Sequence, residues 1–193
     1  MRMWKAYFRK ATILGIDLHD KSFHGEPRIK TFQGNQVDRD FLRKVMTEAG
    51  PIDIIIDDGS HLNEHVIQSF KILFPLLAAN GIYVVEDLQT SYWDRLDGSN
   101  WGGSSDLSAP HTSMNFFKSL ADGLNYEEFT QRDEPPSYFD QHVISVHFYH
   151  NMVFVYKGLN NEGSNMVGSS EVSNKKSASS NSSLPVEPEN VAT

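Results

Sequence analysis

The chain has 193 residues, 39% of them hydrophobic, enough for one domain with its own core. A formal net charge of −8 argues against a nucleic-acid or anionic-membrane surface. There is no cysteine, so disulfides and thiolate metal sites are excluded and any metal is left to carboxylates and histidines. No apolar run of ~18 residues exists, and the cationic Met1 to Lys10 lacks the apolar segment of a signal peptide, so the expected compartment is the cytoplasm, with no membrane partner.

Trp4, Tyr7 and Phe8 recur at helical spacing, and Ala11 to Ile16 reads as a strand ending at Asp17. A loop with Gly25 and Pro27 leads to a second strand, Arg28 to Phe32, and then to Gln33-Gly34-Asn35-Gln36. Asp38 can cap a helix running to about Glu48, with Phe41, Leu42, Val45 and Met46 on its inner face. Ile52 to Ile56 is a β-branched run of the kind carried by a strand buried on both faces, and it stops at Asp57-Asp58-Gly59-Ser60-His61. After it, Val66, Ile67, Phe70, Leu73, Phe74 and Leu77 form one apolar helical stripe, with Asn63 as expected N-cap, Pro75 thinning the last turn and Gly81 as the stop. Gly81 to Val85 is the next strand and ends in Glu86-Asp87, which completes a βαβ unit with parallel strands.

Leu88 to His111 is a long irregular stretch of the sort that forms lids or binding loops. Thr112 can cap a helix to Gly123, and the strands His142 to Tyr149 and Met152 to Tyr156 meet in a tight hairpin at His150-Asn151. From Leu159 onward the composition is Ser- and Asn-rich, so the domain is expected over residues 1–158 and a disordered tail over 159–193.

In open α/β sheets, ligands bind beyond the carboxyl ends of the strands. If the strands of the βαβ unit are neighbours, Asp58, Glu86 and Asp87 meet there. Such acids are either simply solvated or gathered around a hard divalent cation; magnesium, which takes oxygen ligands and keeps positions open for substrate, fits three carboxylates. His61, in the turn after Asp58, is either a structural histidine or a general base, its reference pKa of ~6.5 suiting a proton acceptor near neutrality. Asp17 either caps a turn or binds ribose hydroxyls, as acids at that position do in nucleotide-binding folds. Tyr92, Trp93 and Trp101 either line an acceptor pocket or pack beneath a loop.

The segments Ile13 to Asp17, Gln33 to Gln36, Ile55 to His61 and Tyr83 to Leu88, with Thr90-Ser91-Tyr92-Trp93 after them, resemble the macrocin and mycinamicin sugar O-methyltransferases. That resemblance implies a class I methyltransferase α/β fold, Rossmann-like, with a mostly parallel sheet and a C-terminal antiparallel hairpin. It implies S-adenosylmethionine and magnesium as cofactors, a small-molecule sugar hydroxyl as acceptor and a place in macrolide antibiotic biosynthesis, while leaving homo-oligomerisation open. Asp58, Glu86 and Asp87 are then the metal ligands and His61 the base. Asp17, Asn35, Gln36 and Asp57 are cofactor-side residues, and Tyr92 and Trp93 lie toward the acceptor.

This sequence departs from the family at Asn35, where an Asp is common, and at Gln89, where a His is frequent. The family's first strand and Gly-rich loop would precede Met1, so the expectation is an N-terminally truncated domain that alone is poorly stable and binds S-adenosylmethionine weakly or not at all. Its strands ending at Asp17 and Asp57 must then either pair directly or leave backbone groups unpaired. Two other readings use the same residues: a metal-dependent hydrolase, which needs no Asp17, and a non-catalytic binding module.

Overall fold

A computed structural model of the chain describes residues 1–131 and 134–166. Helix α1 (Arg2–Tyr7) precedes strand β1 (Ile13–Asp17), which pairs in parallel with β2 (Ile29–Gln33). Helix α2 (Arg39–Ala49) is capped by Asp38, whose carboxylate accepts the N–H groups of Asp40 and Phe41. Strand β3 (Ile54–Asp57), helix α3 (Asn63–Leu73) and strand β4 (Ile82–Val85) form the expected βαβ unit, with Asp57 in register with Val85. At Pro75 the helix tightens into a 3₁₀ turn over Phe74–Leu76, since proline has no N–H to continue the α ladder.

The stretch after β4 is more structured than its composition suggests. It holds a 3₁₀ turn (Leu88–Tyr92) and a small hairpin of β5 (Arg95–Leu96) and β6 (Ser99–Asn100). Gly103 returns under this loop so closely that a Cβ there would lie 2.3 Å from the Thr90 carbonyl oxygen. Helix α4 (Ser113–Gly123) is capped by Thr112, and a short helix α5 (Tyr138–His142), not evident from the apolar pattern, is closed by a Ser137–Asp140 capping box. Strands β7 (Val143–Tyr149) and β8 (Met152–Lys157) form the antiparallel hairpin, and β8 docks against β4.

The result is a mixed sheet of order β3-β4-β8-β7 and a separate parallel pair β1-β2. Among the described residues β1 and β3 share no ladder, so of the two expected outcomes it is the unpaired one that the chain adopts. This accounts for a difference at β3: it is hydrogen-bonded on one side only, and Ile54 is 39% exposed instead of buried on both faces. The core lies between the mixed sheet and helices α3 and α4, around Phe70, which contacts the rings of Phe74, Tyr83, Phe116, Phe117 and Phe139 at centroid distances of 4.8–5.5 Å. Lys157 is buried beside it and donates to the carbonyls of Pro75 and Leu77 at 2.9 and 2.6 Å, closing the carboxyl end of the α3 segment.

Of the expected tail, 159–193, only residues 159–166 are described. Asn160 is tied in, its side chain donating to the carbonyls of Leu124 and Asp140 and its N–H to that of Gln141. Ser164 donates to Glu128, so order continues past Leu159; residues 167–193 lie outside the described residues.

Candidate metal and acceptor site

The carboxyl ends of β3 and β4 lie side by side because the two strands are parallel and in register, and the Glu86 N–H donates to the Asp57 carbonyl at 3.0 Å just past the ladder. Beyond that bond the chain leaves the sheet in two tight turns. His61 has φ 56° and Asp87 φ 57°, left-handed values that non-glycine residues adopt uncommonly and that often mark functional turns. These turns bring Asp58, His61 and Asp87 together: one donor atom of each lies within 4.8 Å of the others. His61 Nε2 is 3.9 Å from Asp58 Oδ1 and 3.7 Å from Asp87 Oδ2, with the imidazole mostly covered and both carboxylates open to solvent.

Glu86 is the third expected ligand, and its oxygens are not among the converging atoms. Its carboxyl is nonetheless pushed above the ordinary value, first by burial and then by the negative charges of Asp58 and Asp87, with His61 opposing. Negative charge gathered in this way beside the Glu86 carboxyl is an arrangement that a divalent cation relieves. The donor set of carboxylate oxygens, partly solvated, fits magnesium. Gln89 Nε2 donates to Asp87 Oδ1 at 3.1 Å, and the other end of that amide, Oε1, is buried with no partner. Ser60 Oγ pairs with His65 Nδ1 at 3.0 Å, holding the turn from its far side.

The expected cofactor-side residues separate into two groups. Asp17 Oδ1 accepts the His19 N–H at 2.8 Å, the turn-capping role, while its carboxylate stays part-exposed beside Lys21 at 3.7 Å. Asn35 is exposed and caps its own turn through Val37 N–H. Asp57 faces inward. Its carboxylate is buried and accepts from Ser69 Oγ at 2.5 Å, Tyr83 OH at 3.3 Å and Gln36 Nε2 at 3.2 Å. Burial pushes its carboxyl upward against those bonds, and burial together with the Asp57 charge drives the Tyr83 phenol well above its usual value.

On the acceptor side, Tyr92 is exposed and Trp93 packs edge-on against Trp101, centroids 6.2 Å apart. The Trp101 indole N–H is buried without a partner. The loop that carries them is fastened by Asn63, which the sequence pattern makes an N-cap. Here Leu62 occupies the cap position and the Asn63 side chain turns inward, donating to the carbonyls of Thr90 and Trp101 and accepting from Ser91 Oγ, Ser113 Oγ and Ser113 N–H.

No protein-family model matches the chain. Over 164 residues it is 46% identical to the demethylmacrocin O-methyltransferase of Streptomyces fradiae, a match covering 84% of this chain and 40% of that enzyme. It is 43% identical over 165 residues to the mycinamicin VI 2''-O-methyltransferase of Micromonospora griseorubida, with the same coverage. Among solved structures it is similar to the MycE methyltransferase of the mycinamycin pathway in complex with Mg, SAH and mycinamycin VI. That alignment has a TM-score of 0.77 and 44% identity, and covers 84% of this chain and 40% of that one. The chain thus spans about 40% of the length of the curated relatives it matches. By sequence and by fold it is a homologue of the macrocin- and mycinamicin-type sugar O-methyltransferases, with their class I methyltransferase architecture over the part that it shares.

Proposed function

We propose that this chain carries the metal and acceptor half of a methyl-transfer site, moving a methyl group from S-adenosylmethionine to a hydroxyl of a sugar on a small molecule. The observation that carries the reading is the convergence of Asp58, His61 and Asp87 at adjacent strand ends, in a chain related to sugar O-methyltransferases. Asp58 and Asp87, with Glu86 behind them, hold magnesium. When bound, that ion supplies the positive charge that lowers the pKa of an acceptor hydroxyl. His61 Nε2, between the two carboxylates, takes the hydroxyl proton, and the left-handed turn at His61 fixes the direction from which it does so. Asp17 keeps a part-exposed carboxylate for ribose hydroxyls. The loop held by Asn63 presents Tyr92 and Trp93 as an aromatic wall for the acceptor, and its fixed placement contributes by orienting the nucleophile.

The test is methyl transfer from labelled S-adenosylmethionine to a macrolide bearing an unmethylated sugar hydroxyl, with and without magnesium. Calorimetric titrations of magnesium and of S-adenosylhomocysteine run beside it. Transfer that needs magnesium and is lost in Asp58→Asn and Asp87→Asn supports the reading, whereas full activity of either variant in a chelator removes the metal from the mechanism. A hydrolase would bind the ion without the nucleoside, and a binding module would turn nothing over.

A further inference from the structure

Gln36 stands where no ladder does. The parallel pair β1-β2 and the mixed sheet are not hydrogen-bonded to one another, so the relative placement of their carboxyl ends falls to side chains. Gln36, in the loop after β2, uses both ends of its amide across this gap. Its Oε1 accepts the Ser60 N–H at 2.7 Å and its Nε2 donates to Asp57 Oδ1 at 3.2 Å. Those two attachment points bracket Asp58, and Ser60 is followed at once by His61.

Both ends of this link are anchored. On the loop side, Gly34 N–H donates to the Asp17 carbonyl at 2.9 Å, Gln33 Nε2 to the Leu18 carbonyl at 3.2 Å, and the Asp38 N–H to the Asn35 carbonyl at 3.1 Å just before α2 begins. On the turn side, Asp57 is gripped by Ser69 of α3 and Tyr83 of β4. Gly59 leaves the space: a Cβ there would lie 2.4 Å from Gln36 Oε1, and Gly59 is not among the positive-φ residues, so what its missing side chain serves is this approach.

We propose that Gln36 is a positioning residue, a brace through which the turn carrying Asp58 and His61 takes its place from the loop beside Asp17. The inference rests on the reading of that turn as a metal site. With donor and acceptor both engaged inside the protein, Gln36 acts on the bound metal through the turn and not by touching a ligand. A shorter or apolar side chain leaves both a backbone N–H and a buried carboxylate short of a partner.

The experiment uses the full chain with Mn²⁺ as the probe ion, and reads two quantities: Mn²⁺ affinity and the hydrogen-exchange rate of the Ser60 amide. Three variants are compared. Gln36→Ala removes the brace, and Gly59→Ala fills the seat of its oxygen while the glutamine remains. The double variant Gln36→Glu with Asp57→Asn exchanges donor and acceptor across the pair at unchanged summed charge. We expect Gln36→Ala and Gly59→Ala to weaken Mn²⁺ binding about tenfold or more, as loss of outer-shell partners does elsewhere, and to speed Ser60 exchange about tenfold. The exchanged pair should recover most of both, and recovery by polarity reversal is something that a general loss of packing would not show. Should Gln36→Ala fail to fold, the other two variants carry the comparison. Mn²⁺ affinity unchanged in Gln36→Ala and Gly59→Ala, or no recovery in the exchanged pair, overturns the positioning role. Failure of the wild-type chain to bind Mn²⁺ overturns the metal reading and the positioning role with it, and unchanged Ser60 exchange overturns the brace whatever the metal does.

Discussion

The side-chain oxygen of Asn63, in the first turn of α3, accepts the backbone N–H of Ser113, in the first turn of α4, at 2.7 Å. Five groups from three segments use this one buried amide, and two hydroxyls among them, Ser91 and Ser113, also bond each other at 2.8 Å. Asn63→Ala leaves the Thr90 and Trp101 carbonyls and the Ser113 N–H without that partner. The expected cost is about 2–4 kcal/mol. Asn63→Asp should be no better, since a carboxylate turned toward two carbonyls repels them. Urea denaturation checks both; a loss under about 0.5 kcal/mol in either would show that water replaces the amide.

His61→Ala tests which of two roles the imidazole has. As the proton acceptor its loss lowers turnover by about 10²–10⁴-fold while Mg²⁺ affinity stays near wild type. As a third ligand its loss weakens the ion itself. Metal titration and single-turnover methyl transfer on the same variant separate the two outcomes, and turnover near wild type across about pH 6–8 would assign the proton to another group.

Asp57 gives a pH dependence of definite sign. Burial holds its folded carboxyl above the ordinary range, whereas the unfolded chain releases that proton near ~3.9. Between those two values the folded protein binds more protons than the unfolded one, so this group's contribution is most favourable below the unfolded value and falls as pH rises toward the folded one. Asp57→Asn removes the titration. The stability of wild type relative to Asp57→Asn should therefore decline from about pH 4 upward, in chelator to exclude metal. A difference that stays flat with pH, or rises, would show that the Ser69, Tyr83 and Gln36 bonds outweigh burial.

Lys157→Met keeps the length of the stem and removes the cation that closes the Pro75 and Leu77 carbonyls. The desolvation cost of the buried ammonium offsets part of its two bonds, so the expected loss is about 1–3 kcal/mol, a melting point lower by several degrees. A gain in stability would mean that desolvating the ammonium costs more than its two carbonyl bonds and its approach to the Phe74 and Tyr138 rings return.

Much of the fold was legible because local and global signals agree. Asp38 and Thr112 cap the helices their positions announce, and the apolar stripe from Val66 to Leu77 faces the sheet as its period requires. Where the reading failed, tertiary partners had outbid local ones. Asn63 is a good N-cap by type, but Ser113 and the loop carbonyls offer its amide more than α3 does. The Ile52 to Ile56 run looks doubly buried, yet how deeply it is buried depends on a neighbour that the run itself does not encode. Helix α5 was overlooked although Ser137 and Asp140 stand at capping-box spacing.

The convergence at the candidate site was legible in outline. Asp58, His61 and Asp87 come from strand-end turns, where position in sequence predicts position in space. Glu86 differs because consecutive side chains alternate in direction along a strand, and the left-handed turn at Asp87 aims that residue rather than Glu86 at His61. The resemblance marks Gln36 as a cofactor-side residue, but its bonds to Asp57 and Ser60 had no sequence signal, since a single polar residue in a loop has no periodicity to betray its partner.

The split between the two ladders divides the molecule's cooperativity as well as its architecture. From Met1 to Asp38, Ile29 is the one buried residue, whereas the aromatic cluster around Phe70 lies wholly after Asp38. A segment with so little sequestered apolar area opens at a lower free energy than one built on a dense core, and need not wait for it. Amides of β1 and β2 should then exchange through a sub-global opening, while those of β4 and β8 exchange only when the whole chain unfolds. Opening around Asp17 and opening around Asp58 and Asp87 become separate events on separate clocks, with Gln36 as the bond that is made or broken between them.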